Sequence, residues 1–427
     1  MKKVLYIMLF LILGMSATAQ SVWNGKREAI SSGSGTESDP YLIENAQQLA
    51  WLVYTINWDY SHWASGKYFL LTTDIDLGGN ANNQWIPIGA GSSNSKDKYF
   101  NGVFDGGFHE ITGLYIDSNN AVNDNNSKWW VSDFVGFFTE LGTNAVVKNL
   151  YLEGSIVCVR NIKVGGFSGK DGIFEYCTSN VNIETSQSMN TAGIAAFGNP
   201  TVRFSANLGN IKGRTYVGGI ISMNGTGTVE NCYNVGNIEG FNAIGGIAGA
   251  SNKIIKNCYN VGNIVYDEGA KYKGAIVGKR SSSSNVDNCY YLEGCIAESN
   301  EYGEPKSAEF MRSQDFVNLL NNDITIWTMD TENINDGYPI FDEEYMNVSE
   351  ITENTDMVVV YPNPVIDNVY VVGDVISCAI YDLVGKCVKP VWTNVDKISV
   401  TDLNPGIYMM RFITNNGNVV TKKIVKK

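Results

Sequence analysis

Three aspartates, one histidine-led pentapeptide and two aromatic clusters are the places where residue type and spacing suggest chemistry. Asp74 and Asp76, in TTDIDLGG, point to one face if that segment is extended, and Asp105 lies in the nearby FDGG. Hydrolysis of a glycosidic bond needs two carboxylates at a defined separation, so Asp74, Asp76 and Asp105 are the candidates for a polysaccharide-cleaving enzyme. The competing reading is that aspartates beside glycine hold turns through side-chain to backbone hydrogen bonds. DIDLGG also lacks the further oxygen ligands of a Ca²⁺ loop. HEITG at 109–113 begins like a zinc-peptidase helix, but the second histidine falls on Gly113. His62 and His109 are the only histidines, which leaves little for an imidazole metal site or a histidine-dependent triad. No catalytic set, metal or cofactor is expected.

The aromatic groups point elsewhere. NWDYSHWASGKY carries Trp58, Tyr60 and Trp63, and NNSKWWVSDF carries Trp129 and Trp130. Exposed beside Asn and Asp, such rings make platforms for sugar faces. Alternatively they cover the end of a core, with their polar tips left in water.

Something must position these residues, and the chain repeats itself. NCYNVGNI occurs at 231–238 and again at 257–264. Weaker copies are NLYLEGSI at 149–156, YCTSNVNI at 176–183, FSANLGNI at 204–211 and, with one extra residue, NCYYLEGCI at 288–296. Their last residues, Ile156, Ile183, Ile211, Ile238, Ile264 and Ile296, step by 27, 28, 27, 26 and 32. A second column runs in phase: VGFF at 135, VGGF at 164, AGIA at 192, VGGI at 217, IGGI at 244 and KGAI at 273. Each repeat reads as two short strands joined by a variable loop, and neither strand buries its apolar side alone. Stacking at ~4.8 Å lets each rung cover the next.

Asn182, Asn210, Asn237 and Asn263 are predicted to form a ladder of side-chain amides. Cys177, Cys232, Cys258 and Cys289 share another column, as buried thiols packing like small hydrophobes or as bridges between adjacent rungs. Because the fixed positions are Gly, Asn, Cys and Ile, the octapeptide reads as architecture and not as a duplicated active site.

Both ends of such a stack need closing. Asn45 as N-cap, followed by Ala46, Leu49, Leu52, Val53 and Ile56, predicts a capping helix near 45–57 over the first rung. A second helix is expected near 307–321, with Trp327 to Phe341 lying back over the last rung. Residues 1–20 carry two lysines, an apolar run from Val4 to Met15 and then Ala17, Thr18 and Ala19. That is the layout of a secretory signal, too short to span a bilayer of ~30 Å. The mature chain is expected to be exported and to have no transmembrane helix.

The charge is acidic, 31 basic against 44 acidic side chains for a net −13, and so repels nucleic acid and anionic lipid. No basic stripe is evident before residue 350. Residues 356–427 differ, with eight Lys or Arg against six Asp and no Glu, which marks a second module. Eight cysteines are too few for a disulfide scaffold of this size.

Two resemblances follow from these residues. SGTESDPYLIENAQQLAWL, TTDIDLGG, WIPIG, FNGVFDGGFHEITGLYI and the VGGI/NCYNVGNI units, over roughly 33–341, resemble the GLUG-repeat family. That resemblance implies an exported bacterial β-solenoid of the kind found in adhesins, with no known catalytic residues. YPNPVIDNVYV, AIYDLVGKCV and LNPGIYMMRFITNNGNVVTKKIVKK are similar to the C-terminal sorting domain of type IX secretion cargo. This implies a small β-sandwich recognised by the outer-membrane translocon and cut by a sortase-like peptidase. Turns at Asp382-Leu383-Val384-Gly385 and Asn404-Pro405-Gly406 fit that fold.

The expected organisation is all-β: a signal peptide 1–20, a parallel β-solenoid passenger 21–341 with short helical caps, a linker 342–356, and an Ig-like β-sandwich sorting domain 357–427. The expected location is extracellular or the outer-membrane surface, reached via the periplasm. The expected function is non-catalytic adhesion, binding a glycan or a cell-surface protein. A polysaccharide-degrading hydrolase or lyase and a purely structural surface protein are the alternatives.

Overall fold

The computed structural model describes residues 22–59, 63–89, 99–118, 133–159, 162–321, 326–342, 358–361, 365–373, 375–382, 386–391, 397–414 and 419–427. The repeat strands stack in parallel, each on its sequence equivalent one turn away. Ile156 pairs with Ile183, Ile183 with Ile211, Ile211 with Ile238 and Ile238 with Ile264. All five are buried. The column reaches one rung further back than the repeat, to Ile116. The second column pairs likewise, with one correction: Val135, Val164, Val217, Ile244 and Lys273 are in register with Thr191, and Ala192 falls one residue later, opposite Gly165 and Gly218. The result is a parallel β-solenoid of about 8 turns, with 49% of residues in strands and 7% in helices.

Corners explain the first letter of the octapeptide. Asn149, Asn231, Asn257 and Asn288 turn the chain with φ between 49° and 53°, a left-handed conformation that asparagine tolerates best among residues with a Cβ. Tyr176 and Phe204 hold the same corner at φ 54° and 49°, and their rings stack with centroids 4.9 Å apart. Stacking offsets the strain of a bulky residue there.

The asparagines also correct an expectation. The column Asn182, Asn210, Asn237 and Asn263 is exposed, and it bonds chiefly through backbone: the N–H of Asn210, Asn237 and Asn263 each donates to the side-chain oxygen one rung earlier, at 3.0, 3.0 and 3.2 Å. The buried amide ladder is a different column. Asn207 Nδ2 donates to Asn234 Oδ1 and Asn234 Nδ2 to Asn260 Oδ1, both at 2.7 Å, and all three side chains are wholly buried. Each amide also donates two residues on, to Gly209, Gly236 or Gly262. Those glycines are required by close approach, since a Cβ on Gly236 would lie 1.9 Å from the Gly209 carbonyl oxygen.

Cys177, Cys232, Cys258 and Cys289 are free, buried thiols. Their Sγ atoms face backbone carbonyls, as Cys232 does at Glu230 O (3.2 Å) and Cys289 at Asp287 O (3.2 Å). Burial pushes the thiols of Cys177, Cys258 and Cys289 up.

At the start, helix α1 (Ala46–Tyr54) is capped by Asn45, whose side chain accepts from the Gln48 N–H, while Gln48 Oε1 reaches back to the Glu44 N–H. A π-helical turn, Thr55–Asp59, continues it. At the other end are two short helices, α2 (Ala308–Met311) and α3 (Gln314–Asn321). They do not lie over the open end. Tyr259 alternates with interior Cys258 and Asn260 and so faces outward, and the Phe316 ring sits 5.8 Å from Tyr259 and 5.5 Å from Tyr290 of the next rung. Asn335 Nδ2 donates to the Tyr259 hydroxyl, which donates to the Pro339 carbonyl. Of the segment expected over the last rung, Asn335 and Pro339 instead meet the flank, because the tyrosine column leaves an apolar surface there.

Residues 324–328 and 341–427 form a second compact unit. It holds a three-stranded antiparallel sheet (Val359–Tyr361, Asn368–Val372, Lys397–Ser399) and a four-stranded one (Val375–Tyr381, Cys387–Val391, Gly406–Thr414, Val419–Lys426). Both contribute to one core, including Val369, Ile380, Ile398, Met410 and Phe412.

Candidate functional site

The sequence candidates separate in space. Asp76 Oδ1 accepts from the Gly78 N–H at 2.7 Å, and Asp105 Oδ1 accepts from the Gly107 N–H at 2.9 Å and from Asn149 Nδ2 at 3.0 Å. Lys148 Nζ lies 3.4 Å from Asp105. Both aspartates thus fix turns, and their carboxylates are occupied. Asp74 differs: its Oδ1 is 3.0 Å from His109 Nδ1 and accepts from the Glu110 N–H at 3.1 Å.

Glu110 is the carboxylate that the DxD pattern missed. Burial first, and then the neighbouring charges of Asp74 and Glu153, hold it above its ordinary value. Beside it the Tyr151 hydroxyl donates to Glu153 and accepts from Asn180 Nδ2 at 2.9 Å; its burial holds the phenol protonated. The strip runs across successive rungs, with Glu110 paired to Tyr151 and Glu153 to Asn180. Among the described residues no group of three or more His, Cys, Asp or Glu is arranged to hold a metal ion.

Of the aromatic candidates, Tyr60, Trp129 and Trp130 lie outside the described residues. Trp63 is packing. It stacks on Tyr41 at 5.5 Å, meets Trp51 edge-on at 5.4 Å and supports Phe69.

Trp58 instead lines a cleft of about 380 Å³ together with Trp23, Arg27, Tyr54, Asn82 and Trp85. Three separate segments build it. The helical segment supplies Tyr54 and Trp58, stacked at 5.5 Å and 24°, with the Arg27 guanidinium 3.8 Å from the Tyr54 ring centre. The π-helical turn is pinned by Asn57, whose Nδ2 donates to Pro87 O and whose Oδ1 accepts from the Gly89 N–H. Trp23 is held by its own N–H on Asp76 O and by Nε1 on Lys26 O, each at 2.9 Å. The loop set by the Asp76 turn brings Asn82 and Trp85, and Trp85 meets Trp23 edge-on at 5.3 Å. The Trp85 Nε1 is buried and has no hydrogen-bond partner among the described residues. Asp76, a catalytic candidate by sequence, is thus a positioning residue for the cleft.

Reading the sequence missed Trp23, Arg27, Tyr54, Asn82 and Trp85. Tyr54 was legible, four residues before Trp58 on one helical face. Trp23 was not, because its distance from the helix along the chain says nothing of their meeting. The absence of a basic stripe before residue 350 is also corrected: Lys271, Lys273, Lys279 and Arg280 line one groove.

Residues 359–427 match the family described as the secretion system C-terminal sorting domain. They are a type IX sorting domain. The chain is accordingly exported by type IX secretion to the cell surface or the extracellular space, where it displays a β-solenoid. Among the described residues no helix is long and apolar enough to cross a membrane. Over 183 residues, 41% of this chain, it is 29% identical to a putative Gly-rich membrane protein of Evansella cellulosilytica. Over 134 residues, 30% of the chain, it is 31% identical to halomucin of Haloquadratum walsbyi. The chain covers 18% and 1% of those two relatives. No solved structure matches it significantly.

Proposed function

We propose that this exported solenoid is a non-catalytic binding module, and that it takes the face of a saccharide in the cleft between Trp23, Tyr54 and Trp58. The observation that carries the reading is the composition of that cleft: aromatic walls, one guanidinium and amide side chains, around a volume suited to a small ligand. Apolar sugar faces stack on rings, and hydroxyls bond to Asn82 and Arg27. The GLUG resemblance, and similarity to a protein described as a Gly-rich membrane protein, accord with a surface role. In the same reading, residues 1–20 are the signal peptide, 342–356 the linker, and 357–427 the segment handed to the type IX translocon and a sortase-like peptidase.

The test is affinity electrophoresis of the full chain through gels containing individual soluble polysaccharides. Retardation by at least one polymer, lost in Trp58→Ala and Trp23→Ala while the unfolding temperature holds, is the expected result. No retardation by any polymer, or retardation that ignores both substitutions, overturns it.

One observation favours a second reading. The Asp74, Glu110 and Glu153 strip sets one carboxyl with a raised pKa, Glu110, beside two further acidic side chains, the kind of grouping that glycan hydrolysis uses. New reducing ends released by the wild type and not by Glu110→Gln would move the assignment to an enzyme.

A further inference from the structure

The last complete rung breaks the repeat at four positions at once. Strand Tyr272–Gly274 pairs with Ala243–Gly245, and strand Val277–Arg280 pairs with Ala248–Ser251. In register, Lys273 replaces Ile244 and Val217, both wholly buried in earlier rungs. Lys279 replaces Ala250 and Met223, Arg280 replaces Ser251 and Asn224, and Lys271 follows where Asn242 and Thr215 stood. In the two preceding rungs these positions hold apolar or neutral residues. Further back the Lys279 column holds Lys170, which is paired with Glu140. What sets this rung apart is four cations together.

They line a groove of about 540 Å³ together with Tyr272, Gly278 and Tyr302. Asn300 fixes the far wall, its Nδ2 donating to Val277 O at 2.7 Å and its Oδ1 accepting from the Tyr302 N–H. Ser299 Oγ accepts from the Ala275 N–H at 2.9 Å. Lys273 is neutralised by Glu298 at 2.8 Å. Lys271, Lys279 and Arg280 form no ion pair among the described residues and lie against ring faces, Lys271 and Lys279 at Tyr272 (5.2 and 5.1 Å) and Arg280 at Tyr302 (4.6 Å). Charge and aromatic surface therefore alternate along the groove, in a chain whose net charge is −13.

We propose that this groove binds an acidic polysaccharide, its carboxylates or sulfates meeting Lys271, Lys279 and Arg280 while sugar rings lie on Tyr272 and Tyr302. Charge-assisted bonds to Lys and Arg supply the attraction. Single-stranded DNA is the competing polyanion. The site is independent of the aromatic cleft, which lies at the other end of the solenoid.

The experiment uses the full chain and three probes: polygalacturonate, dextran sulfate and neutral dextran. Retardation by one or both acidic polymers and none by dextran is expected, with the responding polymer naming the group as carboxylate or sulfate. Affinity should fall about twenty- to fortyfold for a fourfold rise in salt, the counterion-release expectation for three neutralised charges. The double substitution Lys279→Gln/Arg280→Gln, at exposed positions, should weaken binding by about tenfold or more with an unchanged unfolding temperature. Trp58→Ala should leave it intact. Failure of both acidic polymers, indifference to the double substitution, or tighter retention of single-stranded DNA than of either polymer overturns the proposal.

Discussion

The middle rungs and the end regions of this solenoid are built from the same repeat and differ in what they do with polar residues. In the middle, Asn207, Asn234 and Asn260 are wholly buried and bonded to one another, and the cysteines face carbonyls. These interior groups are closed off from any ligand. Towards the ends the pattern fails: Trp23, Tyr54 and Trp58 gather around one cleft, and Lys271, Lys279 and Arg280 around another. The difference teaches that in a stacked fold the repeat consumes hydrogen-bonding capacity, so binding chemistry is found where the repeat is broken.

The largest expected effect tests how closed the middle is. Cys258 should react with iodoacetamide only through unfolding, at least about a thousandfold more slowly than exposed Cys387. Comparable labelling of the two by mass spectrometry would show that the stack opens locally. Next in size, Asn234→Leu should destabilise by ~3 kcal/mol, since it strands the Asn260 oxygen in the interior and takes from the Asn207 amide one of its two acceptors, leaving it Gly209. Asn237→Ala, in the exposed column, should lie within ~1 kcal/mol of wild type. Equal losses in denaturant titrations would erase the distinction between the two ladders.

At the N-terminal end, Trp58→Ala should weaken saccharide binding by about tenfold, ~1.4 kcal/mol, without moving the unfolding midpoint. A fall in stability with no change in binding would return Trp58 to packing. The smallest effect concerns Glu110. Its folded pKa is raised, so the stability tied to it is fully present below the ordinary value of 4.5 and is lost as pH rises through the folded value. Glu110→Gln should therefore raise the unfolding temperature slightly at neutral pH and not below pH 4.5. A gain that persists in acid would assign the effect to hydrogen bonding instead of charge.

Much of the fold was legible because a solenoid is a local code repeated. The isoleucine column is visible as a nearly fixed step, and each isoleucine from Ile156 to Ile264 pairs with its equivalent one turn away. The cysteine column is interrupted, with Ser205 standing between Cys177 and Cys232. The asparagines were only half legible. Two columns have the same residue type and the same period, so spacing could not say which was interior. That was decided by the left-handed corner residue, which resets the alternation so that Asn234 and Cys232 face in while Tyr233 faces the flank.

The sites were less visible still. KYKGAIVGKR was in plain view, but its charges looked scattered until the register put Lys273 on Ile244 and Lys279 on Ala250. The sequence by itself determined the rung, the rise from one rung to the next, and the sorting tail, because these depend on neighbours at a fixed separation. Only the tertiary structure decided that Asp76 positions a loop, that the C-terminal helices cover a flank, and that Trp23 meets Tyr54 and Trp58. Those contacts join segments at no fixed spacing, and packing alone brings them together.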